Sequence, residues 1–175
     1  AHTSLVAGTL LSGIETVGEA MNDGVAAAFL NKCMKEEILP TIGANDESIS
    51  FANSVYDRFR NPFIHHKWRS IALNSVSKFS VRVLPTLLEY KEQNGKNPQG
   101  LTLALANLIY FYKNDNPDDD ETVIETMKKD SIADILKNES LWQADLSDMT
   151  ETVTEYYNRI DTIGAKETMK WILSE

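Results

Sequence analysis

Residues 101–112 are apolar at every position except Thr102 and Asn107. A helix built on such a run has no polar face to turn toward water, so the rest of the chain must cover it on all sides. That cover reads as helical too, because nowhere does apolar and polar alternation with period two persist long enough for a convincing strand. The fold class expected is all-α, with residues 101–112 as its central helix. At 175 residues, a single domain over 1–175 is long enough to bury that core.

The neighbouring segments carry helix signals of their own. After a first apolar stretch broken at Gly13, Asn22-Asp23 offers an N-cap. Ala26, Phe29, Leu30, Cys33 and Met34 then form one stripe, and Pro40 is expected to end the helix. Cys33, on that stripe, reads as core. A second helix from about Asp46 carries Ile49, Ala52, Val55, Tyr56 and Phe59 on one side. It stops at Asn61-Pro62, since the residue before a proline avoids the α region. Pro85 must break or restart the pattern of 65–89, giving two helices. Beyond a loop at 114–117, short helices cover about 120–138. A capping box of Asp148 and Glu151 then opens a helix marked by Val153, Tyr156, Tyr157, Ile160 and Ile163, which Gly164 interrupts before a last one.

The formal net charge of −9 is unevenly spread. Residues 1–114 hold eleven Lys or Arg against ten Asp or Glu, whereas residues 115–175 hold six against sixteen. The run Asp118-Asp119-Asp120-Glu121 reads as a solvated loop and helix start. Phosphate recognition usually needs a basic domain, so no nucleic-acid partner is expected. One window departs from the mean: residues 58–82 contain six bases (Arg58, Arg60, Lys67, Arg69, Lys78, Arg82), no acid, and the pair His65-His66. A solvated basic face or a pocket for a small anion would each account for it.

Several classes fall away. No apolar run approaches the ~18 residues of a membrane-spanning helix, and the stretch 5–11 lacks the basic flank and cleavage pattern of a secretory signal. The lone Cys33 cannot form an intramolecular disulfide, and a cytoplasmic setting is expected. Neither a Walker-type nor a dinucleotide-type glycine-rich loop is present, so no cofactor-binding residues are expected within this chain. HExxH and cysteine clusters are missing and adjacent histidines on a helix diverge, so no metal site is expected. Ser, His and Asp are not arranged as a nucleophile elbow.

Three stretches go further than spacing can. Ala1-His2-Thr3-Ser4-Leu5-Val6, Gly13-Ile14-Glu15-Thr16-Val17-Gly18-Glu19-Ala20-Met21 and above all Arg58-Phe59-Arg60-Asn61-Pro62-Phe63-Ile64-His65-His66 resemble the C-terminal domain of the mannitol dehydrogenase family. Ser70-Ile71-Ala72-Leu73-Asn74-Ser75-Val76-Ser77-Lys78-Phe79, followed by Arg82-Val83-Leu84-Pro85, is similar to the family's uronate-reducing branch, as distinct from its polyol branch. The likeness is strong to about residue 92 and one of helix pattern beyond.

This resemblance implies a multi-helical substrate domain of the 6-phosphogluconate dehydrogenase C-terminal-like fold. It also implies an NAD-binding Rossmann domain upstream, as a partner outside this chain. The opening Ala1-His2, without a methionine, is read as part of a longer protein. It matches the end of the family's catalytic pattern of lysine, five residues, asparagine, two residues and histidine, whose lysine and asparagine would precede residue 1. The implied activity is reversible hydride transfer between NADH and the keto group of tagaturonate, a small sugar acid, giving altronate. Fructuronate, mannonate or mannitol are the alternative substrates within the family, and a non-enzymatic helical module that binds an anion is the alternative outside it.

In that reaction a lysine of lowered pKa takes the hydroxyl proton, and His2, by resemblance, hydrogen-bonds the reacting oxygen. Lys78 matches a lysine at the substrate in related polyol dehydrogenases and is placed to receive the sugar carboxylate. Asn74, four residues earlier, is expected on the same helix face, within reach of a sugar hydroxyl. Arg60, His65 and His66 are further substrate-binding candidates. Asn61 is read as a cap or turn before Pro62, and Arg69 departs from the branch pattern and takes no role.

Overall fold

The computed structural model describes residues 1–175, and every regular element in it is a helix. The first part of the chain runs through α1 (His2–Leu11), α2 (Val17–Asn22), α3 (Gly24–Asn31), a π-helical stretch (Lys32–Ile38), α4 (Leu39–Thr41), α5 (Asp46–Phe59) and α6 (Trp68–Ile71). It continues with α7 (Ser75–Arg82), α8 (Leu84–Asn94), α9 (Gln99–Asn114), α10 (Glu121–Lys129) and α11 (Ile132–Lys137). The last three helices are α12 (Glu139–Trp142), α13 (Thr150–Ile163) and α14 (Ala165–Ser174). No helix is long and apolar enough to cross a membrane.

The central helix is α9. Every residue from Gly100 to Ile109 is buried, as are Phe111 and Tyr112, because α1 and α13 pack along it while α10, α14 and the π stretch close its remaining sides. Its start has no cap of its own, Pro98 having no side-chain oxygen to offer. The Glu37 carboxylate supplies one, accepting from the Gly100 N–H at 2.7 Å and the Leu101 N–H at 2.8 Å. Two donors that a helix start leaves free are thereby satisfied from a distant element. Residue 100 has to be glycine for this approach, since a Cβ there would lie 2.8 Å from Cys33 Sγ and 3.1 Å from a Glu37 oxygen. Cys33 is fully buried, as its stripe predicts, and burial pushes its thiol well above the usual range.

Pro40 does not end its helix. The Asp23 cap is present, with Oδ1 accepting from Val25 N–H at 3.0 Å and Ala26 N–H at 2.9 Å, but the helical path continues through Pro40 to Thr41. In a regular α-helix the proline ring would press on the Glu36 carbonyl and leave it without a donor. Here the preceding Lys32–Ile38 is widened into π geometry, and the Thr41 hydroxyl donates to the Glu37 carbonyl at 2.6 Å.

The pattern of 65–89 gives the two expected helices, α7 and α8, meeting at Val83 with Pro85 in the first turn of α8, and the short α6 precedes them. The capping box of Asp148 and Glu151 is not formed. Asp148 pairs with Lys91 of α8 and lies in a 3₁₀ turn (Ser147–Met149), just before which the Asp145 side chain accepts from the Ser147 N–H at 2.9 Å. The stripe of α5 is buried at Ala52, Val55, Tyr56 and Phe59, but Ile49 is exposed.

The acidic run is a loop and helix start, as read, and it is also a docking element. Asp120 caps α10 through the Thr122 N–H at 2.9 Å, and Asp119 accepts from the Tyr112 hydroxyl at 2.5 Å. Both carboxylate oxygens of Asp115 accept from Arg69 Nη2, at 2.9 and 3.1 Å. The acidic loop therefore closes onto one side of the basic window.

Candidate active site

The geometry of the site begins with α1. Leu5, Val6 and Ala7 are buried and α1 lies along α9, so the first residue of the helix, His2, is held by the core. After α1 the chain reverses at Gly13, whose φ of 76° is one that glycine adopts freely. It then pairs with the segment that follows α5 through a single antiparallel bridge between Thr16 and Lys67. Val17 N–H donates to the His66 carbonyl at 3.0 Å and Trp68 N–H to the Glu15 carbonyl at 2.9 Å. These bonds bring the end of α5 and its following loop beside His2. Its ring lies 4.0 Å from Phe59, 6.1 Å from Trp68 and 6.3 Å from His66, centroid to centroid.

Beside these rings opens a cavity of about 410 Å³, within the ~300 to 1,000 Å³ common for small-molecule sites. Its wall is largely apolar, built by Met34 and Ile38 of the π stretch, Phe51, Ala52 and Val55 of α5, and Leu101 of α9. The polar side chains facing it are His2, Arg58, His66, Arg82 and Thr86, and no Asp or Glu lines it. Every ionisable side chain of the cavity is thus a potential cation.

His2 Nε2 is buried and has no hydrogen-bond partner. Burial, aided by the positive charges of the amino terminus, His66, Arg58 and Arg82, lowers the His2 pKa from 6.5 to about 4. The imidazole, which lines the cavity, is therefore neutral at neutral pH and keeps one ring nitrogen unpaired. Nowhere in the chain do three His, Cys, Asp or Glu side chains gather as a metal ion would need.

The other residues singled out from sequence are spread around this cavity. Lys78 is half-buried on α7 and does not line it; its Nζ donates to the Ile71 carbonyl at 3.0 Å. Arg82, one turn further along α7, does line it. Asn74 is the residue that opens α7, its carbonyl accepting from the Lys78 N–H at 3.1 Å. It sits before α7 in the left-handed region, φ 54° and ψ 43°, a conformation asparagine tolerates, and its N–H is held by the Asp118 carbonyl at 2.9 Å. Arg60 and His65 line a second, polar cleft of about 340 Å³ with Thr16, Glu19 and Asn22, and Arg60 lies over the Tyr56 ring at 5.9 Å. Asn61 makes the expected turn, its side chain accepting from the Phe63 N–H at 3.0 Å. His66 faces the main cavity with His2.

Arg58 and Arg82 are the cavity residues that sequence reasoning left unassigned. The available signal for Arg82 was its place four residues after Lys78 in an acid-free window, which puts both on one face of α7.

Among proteins of known sequence, the altronate oxidoreductase of Pectobacterium carotovorum subsp. carotovorum (strain PC1) is 41% identical over 159 residues, which span 90% of this chain and 32% of that protein. The altronate oxidoreductase of Yersinia enterocolitica serotype O:8 / biotype 1B is 51% identical over 114 residues, 65% of this chain and 24% of its own length. The chain thus spans about a third or less of these relatives. Among solved structures, the ternary complex of Pseudomonas fluorescens mannitol 2-dehydrogenase with NAD and D-mannitol superposes with a TM-score of 0.85 at 21% identity, covering 99% of this chain and 38% of that one. A substrate-free D-sorbitol dehydrogenase superposes with a TM-score of 0.81 at 20% identity over 96% of this chain and 38% of its own. Both share the all-α arrangement described above. The mannitol dehydrogenase C-terminal domain model matches residues 1–164, and the chain belongs to that family.

Proposed function

We propose that this chain is the substrate domain of a cytoplasmic, NAD-dependent oxidoreductase that interconverts D-tagaturonate and D-altronate. The observation that carries the reading is a neutral His2, its Nε2 without a partner, in the wall of a cavity whose ionisable side chains are all potential cations. Relatives named altronate oxidoreductase, at 41 and 51% identity, point to the sugar acid in preference to a polyol. The chain contains no glycine-rich turn for a dinucleotide pyrophosphate, so that contact falls to an upstream Rossmann domain. What fits here is the reacting end of the site, where His2 Nε2 has no other partner. When bound, NAD supplies the acceptor or donor of the hydride.

The roles of this chain follow from its geometry. His2 hydrogen-bonds the reacting oxygen and stabilises the negative charge that develops there as the proton leaves toward a lysine base upstream. A neutral imidazole can do this without competing for that proton. The apolar wall, with Phe59 and Leu101, excludes water from the reacting carbon. Lys78 and Asn74 lie on and just before α7 without lining the cavity, so any contact of theirs with a sugar hydroxyl would need a substrate that extends past its wall, while Arg60 and His65 line the neighbouring polar cleft.

Steady-state assay of the full-length protein with NADH is the test. Tagaturonate should be reduced with higher kcat/KM than fructuronate or fructose. Equal or better turnover of fructose would assign the chain to a polyol enzyme, and no turnover of any of them would favour a binding module.

A further inference from the structure

Two cations of the main cavity have no counter-ion. Arg58 and Arg82 both line it, and neither makes an ion pair. Other arginines of the protein are engaged: Arg69 Nη2 donates to both Asp115 oxygens at 2.9 and 3.1 Å, and Arg159 stacks on Trp171 at 3.6 Å. Arg58 is partly committed through Nε, which donates to the Ser54 carbonyl at 3.3 Å. Lys78, the cation that sequence comparison favours for the sugar carboxylate, already donates to the Ile71 carbonyl. Arg82 is the uncommitted cation at the α7 end of the cavity.

A guanidinium beside an apolar wall, with no acid nearby, suits a planar oxyanion held by two parallel N–H···O bonds. The sugar acid proposed above has such a group at one end and its keto group toward the other, with hydroxyl-bearing carbons between. His2 and Arg82 line one cavity, and the charge of Arg82 is felt at the His2 ring, so a single small molecule can meet both.

We propose that Arg82, supported by the charge of Arg58, receives the substrate carboxylate and determines the preference for a keto acid over the uncharged ketose. This inference rests on the hydride-transfer reading above and adds the residue that sets its substrate class. A ketose in the same place would leave the guanidinium unpaired against an apolar wall, which is the kind of mismatch that separates related substrates.

The experiment compares tagaturonate with tagatose, its counterpart carrying a hydroxymethyl group in place of the carboxylate, in the full-length protein and its Arg82→Gln and Arg82→Lys variants. Arg82→Gln should lower kcat/KM for tagaturonate roughly ten- to a hundredfold, largely through KM, as expected for one charged hydrogen-bonded contact. NADH affinity should stay at the wild-type level, and tagatose turnover, relieved of the unpaired guanidinium, should rise, so the preference for the acid collapses from both sides. Arg82→Lys, which keeps the charge and loses the fork, should fall between. Acid preference that survives both substitutions would overturn this inference and leave the oxidoreductase reading standing. A wild-type protein that uses tagatose as well as tagaturonate would overturn this inference together with the sugar-acid substrate proposed above. Because Arg82 is exposed and unpaired, either variant should melt as the wild type does; if Arg82→Gln fails to fold, Arg82→Lys alone decides by the same ratio.

Discussion

The imidazole of His2 lies against the ring of Phe59, their centroids 4.0 Å apart. The contact couples the first turn of α1 to the last residue of α5. It thereby joins two sequence motifs, Ala1-His2 and Arg58-Phe59-Arg60-Asn61-Pro62, that are far apart in the chain. The reacting histidine of the proposed site is positioned by an aromatic ring that is itself core.

Phe59 is 3% exposed, and its removal should be costly for the fold as well as the site. Phe59→Ala is expected to destabilise by about 3 to 5 kcal/mol, the usual range for emptying a buried aromatic position. Urea denaturation checks this. A loss under 1 kcal/mol would mean that the α1–α5 contact is loose and that His2 is held by something else.

His2 should titrate far below an ordinary histidine. Its folded-state pKa of about 4 lies below its usual 6.5, so between these values the unfolded chain binds a proton that the folded chain does not. The residue therefore costs no stability above pH 6.5, and folding stability drains as the pH falls from there toward 4. Following the His2 imidazole resonances against pH in residues 1–175, where the free amino group of Ala1 adds to the effect of burial, should place the midpoint near 4. A midpoint near 6.5 would show an open, solvated ring and remove the neutral hydrogen-bonding role.

The Glu37 clamp on α9 is expected to be the most sensitive structural point outside the site. Glu37 is 3% exposed and accepts from two backbone donors. Glu37→Ala leaves the N–H groups of Gly100 and Leu101 without partners, at roughly 1 to 3 kcal/mol each. The denaturation midpoint should fall accordingly, and Glu37→Gln, which can still accept through one oxygen, should fall less. Equal stability of Glu37→Ala and the wild type would mean that water satisfies both donors.

Residues 1–175 alone should not hold the cofactor, since the chain contains no dinucleotide loop. Calorimetric titration of the isolated domain with NADH should give no measurable heat of binding, whereas the full-length protein should bind. Micromolar affinity in the isolated domain would relocate the cofactor contacts into this chain.

The sequence is most readable where a segment's surroundings are implied by its own pattern. The run 101–112 has no polar face, so its central place in the core follows directly, and Cys33 and Phe59 are buried where their stripes put them. Partners distant in the chain are another matter. Glu37 gives no local sign that it caps α9, because its donors lie 63 and 64 residues away. Asn74 looks helical by spacing, but the Asp118 carbonyl holds its N–H in a left-handed turn. Asp148 has the spacing of a capping box and is claimed by Lys91 instead.

For the site, the acid-free window 58–82 was visible from composition alone, but composition cannot say which of its six bases face a cavity. That depends on the Thr16–Lys67 bridge and on the turn before α7, which bring Arg58, His66 and Arg82 to His2 while directing Arg60 and His65 into the neighbouring cleft.

In the proposed reaction the substrate's keto group lies in the cavity at His2. The most direct measurement is kcat/KM for tagaturonate with NADH in the full-length protein and in His2→Ala, alongside the NADH dissociation constant and the melting temperature. Removing one preorganised donor to a developing oxyanion typically costs about 10²- to 10³-fold, so His2→Ala should lose activity on that scale while NADH affinity stays unchanged. Wild-type kinetics in a folded His2→Ala protein would contradict the account and place the chemistry elsewhere.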